Sequence, residues 1–316
     1  AQNGISEFVA PGNNRIGIML PYTPLHLLLL EPEPDFPEVL VMTSANISEE
    51  PIAYTNDEAF SRLDNIADGF LMHNRDIYMR IDDSVLTNFR GKAYFSRRAR
   101  GFAPQPLLLP SKAPMILAVG AELKNTFCLS KENYAFLSHH IGDLENAQTL
   151  SSFEDAVCHY ERIFRVKPSA IACDLHPDYL SSQYAKERAC QEKIPLIPVQ
   201  HHHAHLAACL ADHRWKKEDE SVIGIIFDGT GLGNDGTIWG GEILIGNYAG
   251  FERRFHLTYV PQPGGDSATR NPAKMALAHL WKAGLSWDEE LLPSQVLSSE
   301  EKSILKNQLE TLETDL

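Results

Sequence analysis

Four histidines fall within five positions in Val199-Gln200-His201-His202-His203-Ala204-His205-Leu206. If a helix opens here, His201 and His205 stand at i and i+4, one above the other on the same face. Two imidazoles so arranged can chelate one divalent cation, as helical His-x-x-x-His pairs do. The alternative is a solvated helix start whose histidines are coincidental. A third ligand is needed, and Asp228 is placed to supply it. It follows the apolar run 222–227, and ligands of open α/β sheets gather beyond the carboxyl ends of strands. Two histidines with one or two carboxylates suit zinc, iron or manganese.

The segment Asp228-Gly229-Thr230-Gly231-Leu232-Gly233 has a second reading. Its glycines would let backbone amides approach a phosphate closely. No Gly-Lys-Ser/Thr follows, so it is not a Walker loop, and an ordinary glycine-containing hairpin is the plain alternative. An aspartate at the strand end favours a metal or Mg-nucleotide role. Thr43, Ser44 and Asn46 sit just after the apolar run 39–41, where hydroxyls and an amide can meet phosphate or adenine edges, although turns are rich in such residues. Arg97, Arg98 and Arg100, preceded by Arg75, Arg80 and Arg90, form either a phosphate-binding patch or a solvated charge run. Lys124-Asn125-Thr126 and the segment 139–145 flank an expected hairpin and read as loop-borne polar groups aimed at an anion. Asp174-Leu175-His176-Pro177-Asp178-Tyr179 reads as a turn that could cap the next helix and do nothing else.

These groups need elements to position them. Four prolines in 104–114 (Pro104, Pro106, Pro110, Pro114) deny a helix and break strand pairing, so the stretch reads as a connector dividing 1–106 from 107–316. Before it, β-rich runs lie at 16–20, 39–43, 69–72, 84–88 and 93–97, with a helix at 56–63 capped by Thr55. After it, the pattern predicts strands at 116–119, 126–129 and 134–137, then a helix over 151–165 with Ser152 and Asp155 near its start. A buried strand at 170–174, a helix at 181–192, a strand at 196–199, a helix over 202–212 and a strand at 222–228 follow. The run 300–316 is again helical in pattern. Strand–helix alternation with buried strands implies an α/β sheet covered on both faces.

The chain has 316 residues, 28 Lys+Arg against 42 Asp+Glu, and a net charge of −14. That charge argues against nucleic acid or an anionic membrane as the main partner. The longest apolar run, 24–30, is far short of the ~20 residues that span a bilayer. No basic stretch followed by an apolar core opens the chain, and a cytoplasmic location is expected. Cys128, Cys158, Cys173, Cys190 and Cys209 are widely spaced with no Cys-x-x-Cys pair, which argues for reduced thiols rather than a disulfide framework. The chain opens without Met and ends in an uncapped helical run, so a piece of a longer protein is expected.

Taken together, the motifs identify a resemblance. Val119-Gly120-Ala121-Glu122-Leu123-Lys124-Asn125-Thr126, His140-Ile141-Gly142-Asp143-Leu144-Glu145-Asn146, the segment 174–179, His201 to His205, the segment 228–233 and Pro263-Gly264-Gly265-Asp266 occur in the order and spacing of HypF-type carbamoyltransferases, the hydrogenase maturation enzymes. The segments 14–26, 43–48 and 97–101 resemble their YrdC-like domain. The likeness runs over almost the whole chain except the tail after about Trp281. It implies part of a YrdC-like α/β domain at 1–106 followed by part of an actin-like, TsaD-like ATPase domain at 107–316.

In such enzymes ATP and carbamoyl phosphate give carbamoyl adenylate in the first domain. The second, holding a nucleotide and a metal, passes the carbamoyl group to the C-terminal cysteine of a HypE-type partner. Carried over, His201, His205 and Asp228 are ligands of one divalent metal, zinc or iron. Thr43, Ser44, Asn46, Arg75, Arg98 and Arg100 line the adenylate-forming pocket. Lys124 and Asn125 act beside nucleotide phosphate in the second domain, where Gly229, Thr230, Gly231, Gly264, Gly265 and Asp266 also face ATP/Mg. The family expects a further aspartate downstream and modules upstream that this sequence does not contain. Glu49 and Ala121 depart from glycines common in the pattern. The rivals are tRNA threonylcarbamoylation, antibiotic O-carbamoyl transfer and a non-enzymatic metal- or nucleotide-binding scaffold. Net charge opposes the first and domain order the second.

Overall fold

The computed structural model describes residues 8–34, 36–47, 50–217 and 219–314, so Glu49 and Ser48 lie outside the described residues. The chain divides into two compact units, Ala1–Arg80 and Ile81–Leu316. In the first, helix α1 (Pro24–Leu29) starts where the Thr23 hydroxyl accepts the His26 amide. Helix α2 (Asn56–Leu63) starts at Thr55, which accepts the Glu58 amide, as its sequence predicts. Glu58 then pairs with both Arg62 and Arg80, and Arg80 also donates to the Ile52 carbonyl. The expected strands at 16–20, 39–43 and 69–72 form no ladder among the described residues. Ile18, Leu20, Val39, Val41 and Leu71 are exposed there. Apolar alternation makes a segment competent for a sheet, but only a neighbouring backbone makes it a strand.

The second unit opens with the antiparallel pair β1 (Val85–Phe89) and β2 (Lys92–Arg97). A mixed five-stranded sheet follows, built from β3 (Leu107–Ala113), β4 (Ile116–Ala118), β5 (Cys128–Leu137), β6 (Ala170–Asp174) and β7 (Leu196–Val199). Its order is β3-β5-β4-β6-β7, with β4, β6 and β7 parallel. The expected connector is therefore wrong for 107–113, which form an edge strand. Pro110 is tolerated because an edge leaves one side of the backbone unpaired. The two short strands expected at 126–129 and 134–137 are one element, β5. The polar residues between them mark an irregularity, with Glu132 at φ 55°, rather than a turn.

Helix α3 (Ala147–Phe164) buries Phe153, Ala156, Val157 and Tyr160, one stripe at helical spacing, on this sheet. Phe127 meets Phe153 edge-on at 5.7 Å and Tyr160 at 5.0 Å. Helix α4 (Leu180–Glu192) and helix α5 (His201–Asp212) follow β6 and β7. A second, antiparallel sheet consists of β8 (Val222–Leu232), β9 (Ile238–Gly246) and β10 (Phe251–His256). Leu206 and Leu210 of α5 pack on Ile226 and Leu244 of this sheet. Gly224 permits that approach, since a Cβ there would stand 2.8 Å from Leu206 Cδ1. Helices α6 (Asp266–Arg270), α7 (Pro272–Lys282), α8 (Leu292–Val296) and α9 (Ser299–Thr314) end the chain. Leu277 and Ala278 of α7, Leu297 at the end of α8, and Leu305 and Leu309 of α9 form one core.

Candidate metal centre

Sheet register builds the site. Asp174, the last residue of β6, pairs with Val199, the last of β7. The Gln200 side chain then accepts the His203 amide and caps α5, which makes His201 its first residue. Two steps past its paired neighbour, the chain brings His201 Nδ1 within 2.7 Å of Asp174 Oδ2. On the other side of the ring, His201 Nε2 lies 3.0 Å from Asp228 Oδ2, and His205 Nε2 lies 3.5 Å from the same oxygen. The two Nε2 atoms are 3.2 Å apart. Asp228 itself stands where β8 departs from regular pairing with β9, between Phe227 and Gly231.

One ligand atom from each of His201, His205 and Asp228 lies within 4.8 Å of the others. Asp228 Oδ2 is shut off from solvent and, despite two imidazole nitrogens within reach, is not satisfied by a hydrogen bond. We read those contacts as close charges whose lone pairs converge on a common point. The carboxylates of Asp174 and Asp228 on either side of the ring raise the His201 pKa to about 9. Burial alone would raise Asp228, but the two imidazoles and the Gly229 amide outweigh it and hold the carboxyl far below the usual range. A buried, unsatisfied carboxylate oxygen with two imidazole nitrogens converging beside it is a donor set for a divalent cation, so these residues fit a metal. The neighbouring histidines serve packing. His202 is fully buried, touching the Gln200 amide, and His203 Nε2 meets the Asn247 carbonyl at 2.8 Å. Gly231 must lack a side chain, because a Cβ would lie 2.7 Å from the His202 ring and 2.9 Å from that of His201.

Two further loops leave the carboxyl ends of the parallel strands β4 and β6. After β4, Gly120 turns at φ 75°, where a Cβ would strike the Thr126 carbonyl oxygen. Asn125 is buried and turned inward, donating to the carbonyls of Val119 at 2.9 Å and of Ala121. Lys124 is exposed at φ 49°, and its amide donates to Asp143 Oδ1. After β6, the Ser181 hydroxyl donates to the Gly120 carbonyl and ties the two loops together. Glu122 accepts the Leu180 amide at the start of α4. Burial raises its pKa, and the charges of Glu145 and Asp143 add to that while His176 opposes it. Asp174 is thus a site-bordering residue that motif reading left in a turn, and Glu122, named in the sequence only within the motif 119–126, lies in the loop tied to it. The only signal for Asp174 was its place at the end of a buried strand. His139, expected to face an anion, is buried with Nδ1 unpartnered.

The remaining candidates are dispersed. Gly229 is exposed and its amide meets Asp228 Oδ1, Thr230 is half-buried, and β8 continues through them to Leu232 rather than ending at Asp228. Gly264 and Gly265 turn at φ 80° and 53° just before Asp266 opens α6. Ser44 donates to the Asn46 side chain, and Asn46 Nδ2 to the Ile47 carbonyl, in an exposed turn that follows Thr43. Arg75 is exposed, its amide on His73 Nδ1. Arg98 Nη2 clasps the carbonyls of Phe102 and Gln105, and burial lowers its pKa. Arg100 reaches the Ile81 carbonyl and Asp83.

Comparisons with known proteins agree with this layout. Residues 111–212 match the family described as the HypF Kae1-like domain, and 224–315 match the second subdomain of the carbamoyltransferase Kae1-like domain. Residues 1–99 match the Sua5/YciO/YrdC family, described as telomere recombination. Carbamoyltransferase HypF of Rhodobacter capsulatus is 48% identical over 90% of this chain, and that of Synechocystis sp. 46% over 87%. The crystal structure of full-length HypF in its phosphate- and nucleotide-bound form superposes with TM-score 0.79 at 47% identity, covering 93% of this chain and 38% of that one. The crystal structure of T. kodakarensis HypF gives TM-score 0.79 at 40% identity, over 95% and 36%.

This chain belongs to the HypF carbamoyltransferase family.

It spans 38% and 35% of the lengths of the two curated relatives above. Its architecture is that of the family, a YrdC-like α/β domain followed by an actin-like domain of the Kae1/TsaD type. The family likeness extends to residue 315, so the tail beyond Trp281, expected to fall outside it, lies within. Among the described residues no helix is long and apolar enough to cross a membrane.

Proposed function

We propose that the protein to which this chain belongs is the carbamoyltransferase of nickel–iron hydrogenase maturation. ATP and carbamoyl phosphate give carbamoyl adenylate, and the carbamoyl group passes to the C-terminal cysteine thiolate of a HypE-type partner. The observation that carries this reading is the convergence of His201, His205 and Asp228 beside the loop ends of β4 and β6, in a chain of HypF sequence. A mixed anhydride brings its own good leaving group, so the protein must orient the acyl group and receive charge on the departing phosphate. A divalent cation held by His201, His205 and Asp228, zinc or iron, would supply Lewis-acid polarisation of an oxygen.

The chain's own residues do the rest. Lys124, exposed on a strained backbone turn, would bring positive charge to phosphate, with Asn125 holding that turn in shape. Gly264 and Gly265 line a groove of about 530 Å³ with Gln262, Asn307 and Thr311, and with Asp266 this is our choice for an ATP/Mg subsite. Gly229, Thr230 and Gly231, which follow Asp228 in β8, would instead meet phosphate at the metal. Thr43, Ser44, Asn46, Arg75, Arg98 and Arg100 would serve adenylate formation. We place the domain boundary at 106/107, which the family matches ending at 99 and resuming at 111 support; the compact units divide earlier, after Arg80. Five free thiols suit a reducing, cytoplasmic setting.

The test uses the full-length gene product. ATP is expected to be cleaved to AMP and pyrophosphate only when carbamoyl phosphate is added. Cleavage that depends on threonine and bicarbonate instead would assign the protein to tRNA modification, and no cleavage with either would leave a scaffold. The double substitution His201→Ala, His205→Ala is expected to abolish metal binding while the fold persists. Unchanged metal stoichiometry would sink the ligand assignment.

A further inference from the structure

We propose that Asp174 is the positioning residue of the metal centre: its carboxylate holds the Nδ1 proton of His201, so that the Nε2 lone pair faces the cation. The inference rests on the metal reading above. Asp174 Oδ2 lies 2.7 Å from Nδ1, while Asp228 and His205 lie on the Nε2 side of the same ring. Asp174 is thus separated from the ligand cluster by the imidazole and acts through it.

Both carboxylate oxygens are engaged. Oδ1 accepts the His176 amide at 2.9 Å, leaving Oδ2 aimed at the imidazole. The backbone is pinned as well, by the Val199 pairing of β6 to β7 and by the Ser182 hydroxyl on the Asp174 carbonyl. The side chain is 7% exposed, so water competes little for Oδ2. A ligating histidine whose other nitrogen donates to a carboxylate is fixed in tautomer and ring orientation and becomes a better donor. His205 differs. Its side chain is 51% exposed, and its polar contacts among the described residues are with His201 and Asp228. The two imidazoles are therefore unequal, His201 preset by the sheet and His205 free to adjust when a cation arrives. The plain alternative is that Asp174 only shapes the turn into α4 through the His176 amide, as Asp commonly does.

Metal-free whole chain, titrated with Zn²⁺ by equilibrium dialysis and with Co²⁺ by visible absorption, separates the two. Asp174→Ala is expected to weaken Zn²⁺ binding about 10- to 100-fold and to change the Co²⁺ spectrum. Asp174→Asn keeps an acceptor for the Nδ1 proton but loses the charge, so it is expected to retain the wild-type Co²⁺ spectrum with a smaller loss of affinity. Wild-type Zn²⁺ affinity in both variants overturns the proposal and leaves the metal site standing. Should Asp174→Ala alter the far-UV circular dichroism, Asp174→Asn decides on the same readouts, full wild-type affinity counting against the proposal. A wild-type chain that takes up no Zn²⁺ and no Co²⁺ overturns the metal reading and this inference together.

Discussion

At the scale of single residues, the site divides into groups that face outward and groups spent on the scaffold. His201, His205 and Asp228 converge on one point, whereas Asn125 turns its amide into the protein. Burial with two backbone carbonyls to satisfy makes that amide part of the turn that carries Lys124. Asn125→Ala would leave the carbonyls of Val119 and Ala121 without their donor, a loss of about 1–3 kcal/mol. Urea denaturation measures it. A loss under about 0.5 kcal/mol, the level of ordinary surface changes, would return Asn125 to a purely ligand-facing role. The motif Lys124-Asn125 was legible in sequence, but the direction of the amide was not. That direction depends on Gly120, whose positive φ brings the Val119 and Ala121 carbonyls around it.

At the scale of elements, local chemistry decides starts and non-local pairing decides strands. Helix α2 begins where Thr55 predicts, because capping involves only neighbouring backbone. Helix α3 begins at Ala147 rather than near 151, since Asn146 accepts both the amide and the hydroxyl of Thr149. Asn146→Ala is expected to cost about 1 kcal/mol. Ser152→Ala, at the start the residue pattern suggested, is expected to stay within about 0.5 kcal/mol. Matched thermal melts compare them, and equal losses would contradict the cap. The edge strand β3 escaped notice for the opposite reason. Its Pro110 is unfavourable in the middle of a sheet, and nothing local says that 107–113 lies at an edge.

For the whole molecule, pH reports on a histidine that the sequence placed on a loop. His139 is 4% exposed, and burial, reinforced by the charges of His140 and His159, lowers its pKa to about 4. Between about 4 and the ordinary value near 6.5 the unfolded chain binds more protons than the folded one, so stability rises with pH across this window. On acidification His139 withdraws up to about 3 kcal/mol between those limits and nothing more below them. Urea titrations at pH 7, 5.5 and 4 are expected to show the loss, and His139→Gln to flatten the part due to this residue. Identical pH profiles in the two proteins would contradict a buried neutral His139. The hairpin β1–β2 adds another whole-chain fact. It lies inside the segment matched by the YrdC-type family yet within the second compact unit.

Sequence alone determined the kinds of chemistry available and much of the order of elements. The placing of His201 and His205 on one helix face follows from helical spacing, and β6, β7 and α5 follow from apolar runs and their punctuation. Such features depend on residues close together in the chain, where periodicity is a direct physical signal. Tertiary structure alone decided what crosses between elements. It joined two short apolar runs into β5, left 16–20 and 39–43 without ladders, and set Asp174 behind His201 through the register of β6 on β7. Register and edge position are properties of pairs of strands, and no single segment encodes its partner.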